Sequence, residues 1–167
     1  MKHLKFAAAL VLAVCLVAMT GCQAAKQESA QEQVDKYEAL ESVDKFKSTI
    51  GEHLETMTGY CSLDNPGSVQ DIAKAQANLE LVCDALTAET NVPEKCKEMH
   101  EQYKEAANQI EEAAEYLTKA NIGLNCKDYT EYTYEMKKAT ACTDKASKAI
   151  DNVKSIREEL LKSDEGQ

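Results

Sequence analysis

Helix-forming composition runs almost unbroken through the chain after its first 30 residues, and this feature constrains the fold more than any other. The pattern is interrupted at three places, which are residues 61–67, 89–93, where we expect a tight turn, and 123–124. The only two prolines, Pro66 and Pro93, fall within the first two interruptions, where a residue without a backbone N–H does not break a helix. The sequence therefore predicts four helices, over about residues 31–60, 68–89, 92–122 and 126–163, followed by a disordered tail over 164–167.

Residues typical of helix ends flank these interruptions. Ser68 and Asp71 resemble a capping box at the start of the second predicted helix. Gly123, followed by an apolar residue, is typical of a Schellman stop at the end of the third helix. We expect Asn125 or Asp128 to cap the fourth helix.

Apolar and small residues recur at spacings of three and four along the third and fourth predicted helices. Such sustained heptads are typical of nearly antiparallel helices that pack side by side, with large side chains opposite small ones. The predicted facing pairs include Val43–Leu86 in the first hairpin, Cys83–Cys96 in the second and Ala113–Met136 in the third. We predict an all-α, up-down-up-down antiparallel four-helix bundle with an extended helix 3/helix 4 hairpin.

The charge and composition exclude several classes of protein. The chain has 19 Lys and Arg against 29 Asp and Glu, a formal net charge of −10, and loss of Lys2 and Lys5 with a leader would make it −12. Such an acidic surface is repelled by phosphate backbones, so we expect no nucleic-acid partner. With only 6 Gly, 2 Pro and no Trp, the composition also argues against a turn-rich all-β fold.

The first 22 residues have the organisation of an export signal. Two lysines precede an apolar run over residues 6–19, which is too short to span a bilayer. The run leads into the sequence AMTGC at 18–22, which resembles the lipobox of a bacterial lipoprotein except at Met19, where Leu, Val or Ile is usual. The resemblance implies a signal peptide over 1–21, cleavage before Cys22 and attachment of a diacylglyceryl group to its sulfur.

The resemblance also implies where the protein resides. Two acyl chains on Cys22 would give stable membrane attachment, and residues 22–30 would form a short polar tether. Because Gln23 is not Asp, the anchor would lie in the outer membrane of a host with two membranes. In other hosts it would lie on the outer face of the cytoplasmic membrane. The alternative is an ordinary signal peptide that leaves Cys22 free.

Five further cysteines follow the anchor, and an exported protein meets an oxidising compartment. We predict a Cys83–Cys96 disulfide across the second hairpin. The next candidate is Cys61–Cys142, with Cys61–Cys126 as its alternative. One cysteine is left over, either free or bridging to another molecule. In a strict anaerobe all five would stay reduced.

Two sets of polar residues are candidates for a site within the bundle. Cys96 and His100 lie four residues apart on one predicted helix face, but the chain has no CxxC pair and no second His at a matching level. We therefore predict no metal and no cofactor. The predicted facing pairs also place His53, Gln76 and Tyr103 in one core layer, where hydrogen bonds would fix the helix register. The alternative is a small cavity in this layer that holds a polar ligand.

Four of the seven tyrosines lie around the turn between the third and fourth predicted helices. They are Tyr116, Tyr129, Tyr132 and Tyr134. An extended hairpin would expose them at the end of the bundle farthest from the membrane, and tyrosine is favoured at binding sites. The alternative is that the loop over 61–67 folds over this hairpin and covers them.

Sequence motifs of enzymes are missing, since the chain has no GxSxG, no HExxH and no glycine-rich phosphate loop. We expect a non-enzymatic, membrane-anchored cell-envelope lipoprotein that acts as a helical binding module for a protein or envelope partner through its distal tip. The alternative is a lipoprotein that carries a small ligand or a metal, through the polar core layer or through Cys96 and His100.

The lipobox resemblance leads to the first prediction. Mass spectrometry of the mature protein from its host is expected to find a chain that begins at Cys22 and carries a diacylglyceryl group on that residue. A chain cleaved near this position with an unmodified Cys22 would contradict the prediction.

Overall fold

Helix-forming composition and local capping produce five α-helices in the structure, a computed structural model that describes residues 28–165. They are α1 (Ala30–Glu38), α2 (Glu41–Tyr60), α3 (Val69–Thr87), α4 (Lys97–Asn125) and α5 (Tyr129–Glu165), and a 3-10 turn at Glu94–Cys96 precedes α4. The helices pack together into an all-helical unit, which confirms the predicted class. Within residues 28–165, no helix is both long and apolar enough to cross a membrane. The predicted signal peptide, Cys22, most of the tether and the last two residues lie outside the described residues.

Two of the expected caps are present. The hydroxyl of Ser68 accepts the N–H of Asp71 at 3.1 Å at the start of α3. The carboxylate of Asp128 accepts the N–H of Glu131 at 3.0 Å at the start of α5. These side chains satisfy amide groups that a helix start otherwise leaves without a partner.

The end of α4 lies slightly later than predicted. The helix continues past Gly123 to Asn125. Two carbonyl oxygens of its last turn accept the hydrogen bonds of a Schellman motif. Asp128 N donates to Gly123 O at 2.8 Å, and Lys127 N donates to Leu124 O at 3.0 Å. Lys127 therefore occupies the position that glycine usually takes, with φ of 60°.

The first predicted helix, over 31–60, is in fact two helices. The chain leaves helical geometry at Leu40, where ψ is 131°, and α2 begins at the next residue. A capping box of Ser29 and Glu32 starts α1, with hydrogen bonds of 3.0 and 3.1 Å. α1 packs against α5 and the 3-10 turn, whereas α2 packs mainly against α3. The bend thus directs the two helices to different neighbours.

The middle hairpin has a different register from the predicted one. Thr118 of α4 donates a hydrogen bond to Gln76 of α3 at 2.6 Å, and Cys83 lies close enough to Glu111 for the charge of Glu111 to act on its thiol. The predicted pairs placed Gln76 opposite Tyr103 instead, which is about 22 Å away along α4. Residues 88–96 are therefore not a tight turn, and roughly the first ten residues of α4 extend beyond the end of α3.

The extended end of the α4–α5 hairpin is consequently the opposite end from the predicted one. Near the α4–α5 turn, the amide nitrogen of Asn121 donates to the carbonyl oxygens of Tyr60 at 2.7 Å and Gly67 at 3.0 Å. The hydroxyl of Tyr132 donates to the carbonyl oxygen of Cys61 at 3.1 Å. α2 and the loop that follows it thus reach almost to this turn, and the predicted extension there is wrong.

Small side chains line the interface between α4 and α5. The buried residues of this interface include Ala106, Ala113, Ala120, Ala139, Ala146 and Ala149. At the turn, a Cβ on Gly123 would lie 3.1 Å from the backbone nitrogen of Tyr132 and 3.2 Å from the carbonyl oxygen of Asp128. At the other end, Asn152 donates to Gln102 at 2.9 Å. The two helices are therefore in contact along most of α4.

The backbone at Lys127 leads to the second prediction. Lys127→Gly should raise the free energy of unfolding by about 0.5–1 kcal/mol, because glycine adopts this left-handed conformation without the steric cost of a Cβ. Urea denaturation measures the change. Lys127→Ala removes the same charge and keeps the Cβ, so this control should bring no comparable gain. Equal stability of the two variants would contradict the prediction.

Candidate functional site

A groove opens between α2 and α5, because the bend before α2 leaves that helix packed on α3 and away from α5. Tyr103 of α4 lies within it, Phe46 and Ile50 of α2 form one wall, and Ile150 and Val153 of α5 form the other. The groove has a volume of about 350 Å³, which is within the range of small-molecule sites.

One end of the groove is charged. Oε1 of Glu38 at the end of α1 lies 3.2 Å from Nζ of Lys47 and 3.3 Å from Nε of Arg157. A fourth charged residue, Lys154, also lines the groove and lies 2.8 Å from an exposed partner, Asp151. Glu38 thus pairs with two cations, and the charged residues that line the groove are three cations and one carboxylate, although the protein is strongly acidic.

Arg157 retains binding capacity at this site. Its ion pair with Glu38 runs through Nε, and within residues 28–165 its two terminal nitrogens make no hydrogen bond. Guanidinium groups hold carboxylates through two parallel N–H donors, and a pair of such donors remains here.

Tyr103 joins the apolar and charged parts of the groove. Its ring contacts Phe46 edge-on at a centroid distance of 5.9 Å and lies 6.2 Å from the ring of Tyr37. Burial and then the carboxylate of Glu38 raise the pKa of Tyr103 to about 12, while Arg157 acts in the opposite direction. The hydroxyl is therefore protonated at neutral pH and is a neutral hydrogen-bond donor near both charged groups.

The structure does not bring the three residues of the predicted polar layer together. Gln76 bonds to Thr118 and, at 2.7 Å, to Glu80, whereas Tyr103 lies about four turns of α4 away. His53 is half-buried on α2. Only Tyr103 of this set belongs to the groove, and the register of the middle hairpin is the reason.

His100 is buried and links α1 to the connection between α3 and α4. Its Nδ1 lies 3.0 Å from the hydroxyl of Tyr37, the two rings meet edge to face, and Glu89 lies close enough for its backbone and its charge to act on the imidazole. Burial lowers the pKa of His100, and Lys104 adds to this, while Glu101 and Glu89 oppose it. The imidazole is therefore neutral at neutral pH and holds α1 in place.

The predicted metal candidates, Cys96 and His100, are not joined by further ligands. Within residues 28–165, no group of three or more His, Cys, Asp or Glu side chains is arranged to hold a metal ion. The hydrogen bond with Tyr37 also uses Nδ1 of His100, one of its two ring nitrogens.

All five cysteines of the described range are free thiols in the structure. Cys83 lies beside Glu111, whereas Cys96 directly precedes the first residue of α4. The rise along α4 from Cys96 to Glu111 is about 22 Å, and this distance separates Cys96 from Cys83. A disulfide requires Cα atoms within about 7 Å, and the structure therefore does not bring Cys83 and Cys96 together. Cys61 instead donates its S–H to the carbonyl oxygen of Leu117 at 3.2 Å.

The environments of the other thiols differ. Burial raises the pKa of Cys61 and Cys96 to about 11 and that of Cys83 to about 12. It also raises the pKa of Cys142, which lies near Glu112. These buried thiols are protonated and therefore weak nucleophiles. Cys126 caps the end of α4 and is exposed.

The four predicted partner-binding tyrosines have different environments. Tyr129 and Tyr134 are 59% and 55% exposed at the start of α5. Tyr132 is half-buried and bonds to the loop after α2. Tyr116 is half-buried and donates its hydroxyl hydrogen bond to Glu112 at 3.0 Å. The loop over 61–67 thus covers part of this region, and two tyrosines remain exposed.

A lysine packs between two of these rings. Nζ of Lys138 lies 4.1 Å from the ring centroid of Tyr134 and 4.8 Å from that of Tyr116. The same nitrogen lies 3.1 Å from the carboxylate of Glu135, which is almost completely buried. These contacts fix the ring of Tyr134 while leaving much of its surface open to solvent.

Sequence reasoning missed the charged end of the groove. Arg157 occupies a heptad position of the last helix, in line with Ile150 and Val153. Such positions are usually apolar, so a charged residue there was the one indication in the sequence of a polar site. Glu38 had no comparable signal, because it stood within a predicted continuous helix.

Comparison with protein-family models, curated proteins and solved structures gives no match to this chain.

The third prediction concerns His100. Its pKa is lowered in the folded state, so below the ordinary value of about 6.5 the unfolded chain binds more protons at this residue. Protonation of His100 should therefore reduce the free energy of unfolding as the pH falls from about 7.5 to about 5.5. His100→Gln should make this loss smaller in urea denaturation.

Tyr37→Phe is the control for this prediction, because it weakens the contact of α1 but keeps the histidine. It should lower the free energy of unfolding at both pH values and retain the pH-dependent loss. An identical loss in the wild type and in His100→Gln would show that His100 does not contribute.

Proposed function

We propose that this chain is a non-enzymatic, membrane-anchored lipoprotein of the bacterial cell envelope whose helical domain is a binding module. Its partner would be a protein or another envelope component, bound at the turn between α4 and α5. The observation that carries the proposal is the exposure of Tyr129 and Tyr134 at that turn. The lipobox-like sequence at 18–22 supports the anchoring, with the outer membrane as the location in a host with two membranes.

The direction of the chain supports this assignment of the two ends. α1 follows the proposed tether and lies near the start of α4, where Gln33 accepts the N–H of Lys95 at 3.1 Å. α4 has 29 residues and therefore spans about 44 Å. The exposed tyrosines lie at its other end. An anchor at Cys22 would thus leave them far from the membrane surface. We also propose the up-down-up-down arrangement for α2 to α5, which the contacts between successive helices support.

The chemistry of this surface suits a protein partner. Tyr129 and Tyr134 present large rings with polar hydroxyls, and Ile122 beside the turn is 42% exposed. Tyrosine contributes contact area with little loss of side-chain entropy, and the packing of Lys138 on Tyr134 lowers that loss further. Tyr132 and Tyr116 are not part of the proposed contact surface, because they hold the loop and the helix surface in place.

The fourth prediction tests this surface. The double substitution Tyr129→Ser and Tyr134→Ser in the full chain should reduce capture of the envelope partner at least about 10-fold in cross-linking and mass spectrometry, with little change in melting temperature. The matched control replaces Leu81 by Ser, because this side chain is 65% exposed on α3, away from the turn. Undiminished capture by the tyrosine variant, or an equal loss in the control, would contradict the proposal.

The groove supports a second candidate function, that of a small-ligand carrier. Its apolar walls, its volume of about 350 Å³ and its charged end are features of a ligand site. This candidate depends on Tyr103, while the polar layer and the pair Cys96 and His100 play no part in it.

A further inference from the structure

We propose that the groove between α2 and α5 binds a small amphipathic carboxylate, with the acyl chain between the apolar walls and the carboxylate on the guanidinium of Arg157. The inference rests on the second candidate function and specifies its ligand. It is independent of the tyrosine surface at the α4–α5 turn.

The charged end of the groove determines the head group. Glu38 is already shared by Lys47 and Arg157 through a single oxygen, so a cationic ligand would compete with two existing ion pairs. An anionic ligand would instead meet the terminal nitrogens of Arg157, which make no hydrogen bond within the described chain. A planar carboxylate fits this pair of donors, and the hydroxyl of Tyr103 is a further donor near the same point.

The walls determine the rest of the ligand. Phe46, Ile50, Ile150 and Val153 present only carbon atoms, so this stretch offers no partner for a polar group. From Ile150 to Arg157 the rise along α5 is about 10 Å, which is the length available to the ligand in the groove. A short unbranched acyl chain fits this length, whereas a two-chain lipid or a helix does not fit the volume of about 350 Å³.

The negative charge of the whole protein favours the groove over the rest of the surface as a place for an anion to bind. The formal net charge is −10, so the surface as a whole repels anions. Three of the four charged residues that line the groove are cations, namely Lys47, Lys154 and Arg157. Positive charge next to an apolar cleft is therefore what attracts a carboxylate amphiphile to this place.

Isoleucine methyl groups report on the site directly. The chain has six isoleucines, of which Ile50 and Ile150 line the groove. The experiment uses the full-length protein in nanodiscs, labelled at the isoleucine methyl groups, and titrates octanoate by NMR. Empty nanodiscs titrated in parallel measure how much octanoate enters the lipid. We expect saturable shifts at Ile50 and Ile150, and none at Ile72 or at Ile122 near the other end of α4.

Substitutions separate the head group from the acyl chain. Arg157→Gln should weaken octanoate binding about 10-fold and leave any residual binding of the neutral analogue octanol unchanged. Lys162→Gln removes the same charge from an exposed position further along α5 and should have no effect. Ile150→Trp fills the groove and should abolish the octanoate shift at Ile50. The methyl spectrum shows in each case whether the variant is folded.

The outcomes distinguish the inference from the function on which it rests. Saturable binding of octanoate that depends on Arg157 supports both. Octanol and the cationic analogue octylamine are titrated in the same way as octanoate. Binding of either one at Ile50 and Ile150 that is stronger than the binding of octanoate overturns the carboxylate proposal and leaves the carrier function standing. No saturable shift at these two residues with any of the three probes overturns both. Octanoate binding of equal strength in Arg157→Gln overturns the assigned head-group site.

Discussion

The unequal lengths of α3 and α4 are the constraint on which the rest of the structure depends. α3 has 19 residues and α4 has 29, so about ten residues, or 15 Å, of α4 extend beyond its neighbour. Their apolar side would face water without other cover. α1 supplies that cover, with Tyr37 packed on His100 and Tyr103. To reach this position the chain must bend at Leu40, and that bend separates α2 from α5. The groove is therefore a consequence of how the exposed start of α4 is covered.

The interface of small residues between α4 and α5 makes this groove well defined. Alanines on both helices and the close approach at Gly123 hold the two backbones together along most of α4. α4 provides Tyr103, and α5 provides one wall and Arg157. The opposite wall, on α2, is fixed at its far end by the hydrogen bond of Tyr132 to Cys61. Side chains on rigid helices are held in a constant geometry, which a binding site requires.

Local features of this fold were predictable from the sequence, and the register between helices was predictable only in part. Ser68 and Asp128 cap the helices that they were expected to cap, because capping depends on neighbouring residues alone. The first hairpin is close to prediction, since Ser42 bonds to Glu89 beside the expected Val43–Leu86 pair. The middle hairpin is displaced by about two heptads, and such a shift keeps the same residues on the same face. The heptad pattern therefore could not distinguish the two registers, and a tight turn over 89–93 was the wrong assumption. The bend at Leu40 had no Gly or Pro to indicate it, so the groove that depends on this bend was not predictable either.

Under the proposed anchoring, the two candidate surfaces would meet different surroundings. The groove lies at the end of the molecule that α1 joins to the tether, and the exposed tyrosines lie about one length of α4 away. An acidic domain beside an anionic bilayer is repelled over roughly one Debye length, about 8 Å at physiological ionic strength. This repulsion keeps the tyrosines clear of the lipid. Amphipathic carboxylates partition into bilayers, so the groove would be the surface closer to their source. The positive charge at Lys47, Lys154 and Arg157 offsets the repulsion of an anion at that one place on the domain.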